Sequence, residues 1–87
     1  MIVPITQANF GQYIQAGEGY MVNKTFKTEA SQIKFACAHD LAHHNNGSCR
    51  LTYSRDYPKF YASTLQEAQA EARRLWNLPC EACPNCV

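Results

Sequence analysis

Three cysteines lie at three-residue intervals near the C-terminal end of the sequence, in the run Cys80-Glu81-Ala82-Cys83-Pro84-Asn85-Cys86. Two cysteines separated by two residues have the spacing with which a tight turn chelates one metal ion. Three sulfurs are one ligand short of a closed tetrahedral site and one too many for a single disulfide. The pattern therefore predicts a metal site that takes further ligands from elsewhere in the chain.

We look for those ligands in the run His39-Asp40-Leu41-Ala42-His43. The segment from Glu29 to His44 predicts a helix, because its apolar residues recur at intervals of three and four. On a helix, His39 and His43 stand at i and i+4 and share one face. We therefore predict a structural zinc site whose ligands are His39, His43, Cys80 and Cys83, with Cys86 as a replacement for either cysteine.

Other assignments of the same residues stay open. Cys37 lies on the apolar stripe of the predicted helix and Cys49 on the inward face of a predicted strand, where a cysteine behaves as a small hydrophobe. If either side chain points towards the C-terminal cysteines, it would replace a histidine as a ligand. Histidines near a helix end also occur as a solvated polar edge favoured by the helix dipole. A disulfide within the C-terminal run is a further alternative.

Length and composition favour a stabilising ion. A chain of 87 residues forms one domain and buries only about 60 to 65% of the surface that its unfolded form exposes. Domains of this size often add a metal or a disulfide to a thin core. The first residues lack the pattern of a secretory signal, so we expect a cytoplasmic protein, in which thiols stay reduced or bind metal. The five cysteines, an odd number, cannot all pair within one molecule.

Turn and helix-cap residues divide the chain into short elements and predict a single α+β domain over residues 1–87 with the order α-β-α-β-β-α. Its elements are a short helix before Gly17, a strand at 20–25, the central helix, a hairpin of strands at 48–54 and 59–62, and a helix that Thr64 caps. We expect a small antiparallel sheet packed with about three helices, followed by a cysteine-rich metal-binding tail at 79–87.

The predicted hairpin carries the candidate binding surface, since it interleaves basic and aromatic side chains. Tyrosine and arginine side chains tend to dominate interface energies. We therefore expect a non-enzymatic module that binds another protein, as regulators, adaptors and phage-type inhibitors do, through Arg50, Arg55, Tyr57, Lys59 and Tyr61. The same mixture at 50–61 suits nucleic acid as the alternative partner, although a net charge of +1 provides no long-range attraction to nucleic acid or to a membrane.

A zinc-dependent hydrolase is the second alternative. The run HDLAH resembles the HExxH motif of zinc metalloproteases, with Asp in place of Glu. The resemblance implies that His39 and His43 bind zinc and that Asp40 activates water. A chain of 87 residues leaves little room for the substrate cleft and third ligand of such an enzyme, so we expect no catalytic activity.

Overall fold

The computed structural model describes residues 1–27, 32–43, 53 and 58–83, and of 24–27 and 32–35 it describes the backbone alone. These residues form a five-stranded mixed sheet and two helices. In chain order the elements are β1 (Ile2–Pro4), α1 (Phe10–Ala16), β2 (Tyr20–Lys27), β3 (Gln32–Asp40), β4 (Lys59–Ala62), α2 (Leu65–Trp76) and β5 (Cys80–Ala82).

The strands lie in the order β1-β4-β2-β3-β5. All neighbouring pairs are antiparallel except β3 and β5, which run parallel with Ala36 opposite Cys80 and Ala38 opposite Ala82. Among the described strands, β1 and β5 lie at the two ends of this order and have three residues each. Residues 80–82, which we predicted to begin a metal-binding tail, are therefore an integral edge strand of the sheet.

The prediction of a central helix is wrong. Residues 32–40 form β3, which lies between β2 and β5. Ala36 and Ala38 are buried on one face of the sheet, and Cys37 and His39, which alternate with them, are buried on the other. A strand covered on both faces lacks the apolar and polar alternation that identifies a strand, and its pairing overrides the helix propensity of alanine.

The predicted order α-β-α-β-β-α and the small antiparallel sheet with about three helices are wrong for the same reason, since the described residues give a five-stranded mixed sheet with two helices. The predicted strands at 20–25 and 59–62 are confirmed as parts of β2 and β4. The predicted strand at 48–54 lies outside the described residues, apart from Tyr53.

Helix α2 covers one face of the sheet. It begins after Thr64, whose Oγ1 accepts a hydrogen bond from the Glu67 backbone N–H at 3.1 Å, as the predicted cap requires. It ends at Asn77 in the left-handed conformation, with φ of 54°. Its buried residues Ala68 and Ala72 pack on a cluster formed by Val22, Ala36, Ala38, Phe60, Ala62 and Cys80.

Helix α1 packs on the opposite face. It covers a cluster of the buried residues Met21, Leu41 and Tyr61 and adds partly buried side chains around them. The rings of Tyr13 and Tyr61 lie 4.6 Å apart between centroids. Strand alternation places Cys37 and His39 on this face as well, outside the cluster that α1 covers. Neither of the helices in the described part of the chain has the length and apolar character needed to cross a membrane.

Candidate metal centre

Cys37, His39 and Cys83 converge on one point of the structure. The two Sγ atoms and one imidazole nitrogen all lie within 4.8 Å of one another, and all three residues are buried. In a tetrahedral zinc site, bonds of about 2.0 to 2.3 Å place ligand atoms about 3.3 to 3.8 Å apart. Movements of roughly 1 Å therefore suffice for one ion to contact the three atoms.

The strands bring these residues together over 46 positions of sequence. Cys37 and His39 are two residues apart on β3, so their side chains leave the same face of the sheet. The pairing of Ala38 with Ala82 extends β5 alongside β3, and the Cys83 backbone N–H donates to the Ala38 carbonyl at 2.8 Å. Cys83 therefore comes to lie beside His39.

Asn23 on β2 holds the imidazole of His39 from the other side. The His39 Nε2 atom lies 2.8 Å from the Asn23 Oδ1 atom. A carboxamide oxygen only accepts hydrogen bonds, so this contact favours the neutral tautomer with the proton on Nε2 and the lone pair on Nδ1. Histidines that bind metals usually donate their other ring N–H in this way.

Cys37 and Cys83 are not direct partners across the two strands. Cys37 pairs with Glu81, so Cys83, which directly follows β5, lies two positions further along the chain and diagonally across from Cys37. None of the described cysteines, Cys37, Cys80 and Cys83, forms a disulfide.

The structure separates the ligands that the sequence predicted. His39 and Cys83 belong to the cluster, together with Cys37 in place of a second histidine. Cys80 lies on the opposite face of the sheet, in the core under α2. Burial, followed by the charge of Glu81, raises the pKa of the Cys80 thiol to about 11, so this thiol stays protonated at neutral pH. Cys86 and Cys49 lie outside the described residues.

His43 lies in the turn that follows β3, away from the cluster. Its side chain is exposed, and its Nδ1 atom is 2.9 Å from Asp40 Oδ2. Asp40 also accepts a hydrogen bond from the Ala42 backbone N–H at 3.0 Å through Oδ1. His39 and His43 do not share a helix face, and Asp40 organises the turn, so these residues do not form the arrangement that the metalloprotease motif requires.

Two residues of the predicted partner surface are described. Tyr61 is only 6% exposed and packs against Tyr13, so its ring is not available as an exposed anchor. Lys59 is half-buried, and desolvation lowers the pKa of its ammonium group. Arg50, Arg55 and Tyr57 lie outside the described residues.

Comparison of the chain with protein-family models, with curated proteins and with solved structures finds no match. The signal that sequence reasoning missed is Cys37-Ala38-His39, two metal-binding side chains at the period of a strand. The helical pattern over residues 29–44 hides this pair, because on a helix Cys37 and His39 would point in different directions.

Proposed function

We propose that this protein is a small non-enzymatic protein-binding module whose fold is stabilised by a structural zinc ion. The convergence of Cys37, His39 and Cys83 carries the proposal. Thiolates and imidazole together are the ligand set that zinc takes in structural sites, whereas calcium and magnesium take oxygen ligands. Burial of three such side chains in an 87-residue domain fits a structural ion that supplements a thin core.

Cys86 is the fourth ligand in this proposal. It follows Cys83 by three residues, a span of about 10 Å at full extension, and Cys83-x-x-Cys86 has the spacing of a zinc-chelating turn. Four protein ligands close a zinc site, while catalytic zinc keeps one position for water or substrate. A site closed by Cys86 would therefore serve stability rather than hydrolysis.

The binding role rests on the sequence. Arg50, Arg55 and Tyr57 lie close together in the chain between β3 and β4, and these residue types are frequent anchors of protein interfaces. The partner is another protein in the cytoplasm, where the thiols that bind the ion stay reduced. The net charge of +1 favours a protein partner over nucleic acid.

Native mass spectrometry of protein purified without added metal tests the ion. We expect one zinc per chain in the wild type and in Cys80→Ala, and loss of the zinc in Cys37→Ala and Cys83→Ala. We also expect weakened binding in Cys86→Ala. A metal-free wild type that gains no zinc in titration would contradict the proposal.

A binding assay tests the partner role separately. Zinc-loaded wild type and the double variant Arg55→Ala/Tyr57→Ala are used as bait for cytoplasmic proteins of the host, with Arg74→Ala on α2 as the control for removing a surface arginine. We expect a partner that the wild type and Arg74→Ala retain and the double variant loses. Binding of RNA or DNA that weakens steeply with salt would instead favour the nucleic-acid alternative.

A further inference from the structure

We infer that Asn23 is a positioning residue of the metal centre, which keeps the proton on Nε2 of His39 and so makes Nδ1 the nitrogen that binds the ion. This inference rests on the proposed zinc site. Asn23 is not itself a ligand, and its contact with His39 selects the ring nitrogen through which His39 binds the ion.

The strand order places Asn23 and Cys83 on opposite sides of His39. β2 and β5 flank β3 on opposite sides, so the imidazole of His39 has Asn23 on one side and Cys83 on the other. Asn23 pairs with Cys37, which places its side chain on the same face of the sheet as the metal ligands. The contact of Nε2 with Asn23 Oδ1 at 2.8 Å therefore turns the other ring nitrogen towards the side on which Cys83 lies.

The amide of Asn23 offers its oxygen as a hydrogen-bond acceptor to one nitrogen of the His39 ring. An imidazole can bind a metal through only the nitrogen that carries the lone pair, and the hydrogen bond of the other nitrogen decides which one that is. Asn23 has no titratable group, so its carboxamide oxygen remains a hydrogen-bond acceptor when the pH changes. Loss of such an outer partner typically weakens metal binding by about 10- to 100-fold.

Two variants of Asn23 separate positioning from packing. Asn23→Leu keeps a similar volume and removes the acceptor, while Asn23→Asp keeps an acceptor oxygen at the same place. Gln69→Leu is the matched control, because it makes the same change from amide to alkyl on α2, across the sheet from the metal centre, where the Gln69 amide donates to the Cys80 carbonyl. Zinc affinity of the full chain is measured by competition with a chromogenic chelator.

We expect Asn23→Leu to bind zinc about 10- to 100-fold more weakly than the wild type, and Asn23→Asp and Gln69→Leu to bind within a few-fold of it. A long-range ¹H–¹⁵N spectrum of the zinc-loaded wild type should show His39 protonated at Nε2 and metal-bound at Nδ1. Since that spectrum needs no variant, it decides the question even if Asn23→Leu fails to fold.

The possible failures have different signatures. If the wild type binds zinc, two results would overturn the role of Asn23 and leave the zinc site standing. One is unchanged zinc affinity in folded Asn23→Leu, and the other is His39 bound to the metal through Nε2. A wild type that binds no zinc overturns the proposed function, and the ligand role of His39 with it.

Discussion

Removal of the ion should destabilise the fold by an amount set by the loop that it closes. The proposed ion connects Cys37 with Cys83, 46 positions apart in the chain. If the ion is treated as a cross-link, the chain-entropy relation for a loop of this length gives about 4 kcal/mol at 25 °C. A domain of this size has a total stability of roughly 4 to 13 kcal/mol, so the proposed ion would supply a large part of it.

The melting temperature reports this contribution. For a domain of 60 to 100 residues, 1 kcal/mol corresponds to about 4 to 8 °C, so a zinc chelator should lower the melting temperature of the wild type by about 15 to 30 °C. Cys83→Ala should melt at a similarly low temperature with or without the chelator. The assay is thermal unfolding followed by circular dichroism, with and without the chelator.

Cys80→Ala is the control that separates loss of a ligand from loss of a buried thiol. Cys80 is as buried as Cys83 but lies in the core under α2. Its replacement should lower the melting temperature a little, through a small cavity, and leave the response to the chelator intact. A wild type that melts at the same temperature in chelator, or a chelator response lost from Cys80→Ala, would refute the assignment.

Three further predictions concern the rest of the fold. The pKa of the Cys80 thiol is about 11 in the folded state against 9.0 for an unperturbed thiol, so Cys80 ionises at lower pH in the unfolded chain than in the folded one. The stability that this thiol contributes is therefore present below about pH 9 and is lost between pH 9 and 11. Urea unfolding at pH 8 and at pH 10.5 should show that the free energy of unfolding falls less in Cys80→Ala than in the wild type. Gly19→Ala should lower the free energy of unfolding by about 2 kcal/mol or more, because Gly19 has φ of 81°, which strains an L-residue by about 1 to 2 kcal/mol, and because its Cβ would overlap the buried ring of Tyr61. Gly11→Ala in α1 has no atom within 4 Å of the new Cβ and should be neutral or stabilising, so equal losses in the two variants would argue against the overlap. Thr64→Ala removes the acceptor of the Glu67 N–H and should cost about 1 kcal/mol, measured by urea denaturation; an unchanged midpoint would mean that the cap does not contribute.

The sequence alone determined the local features of this protein. The ends of α2 follow from Thr64, whose hydroxyl caps the helix, and from Asn77, which adopts the left-handed conformation. The end of α1 at Gly17 has the same origin. Residue type also made His39 and Cys83 candidate metal ligands, because the coordinating ability of a side chain does not depend on the fold, although the helical spacing that paired His39 with His43 is wrong. Such signals act over one or two helical turns.

Only the tertiary structure decided which residues meet. Cys37 and His39 share a face because residues 32–40 form a strand, a choice that depends on pairing with β2 and β5 rather than on local propensity. Cys83 enters the cluster and Cys80 does not because the parallel register of β5 directs the two side chains to opposite faces of the sheet. The pairing of β5 with β3 joins residues 44 positions apart, and a pattern read over neighbouring residues carries no information about that register.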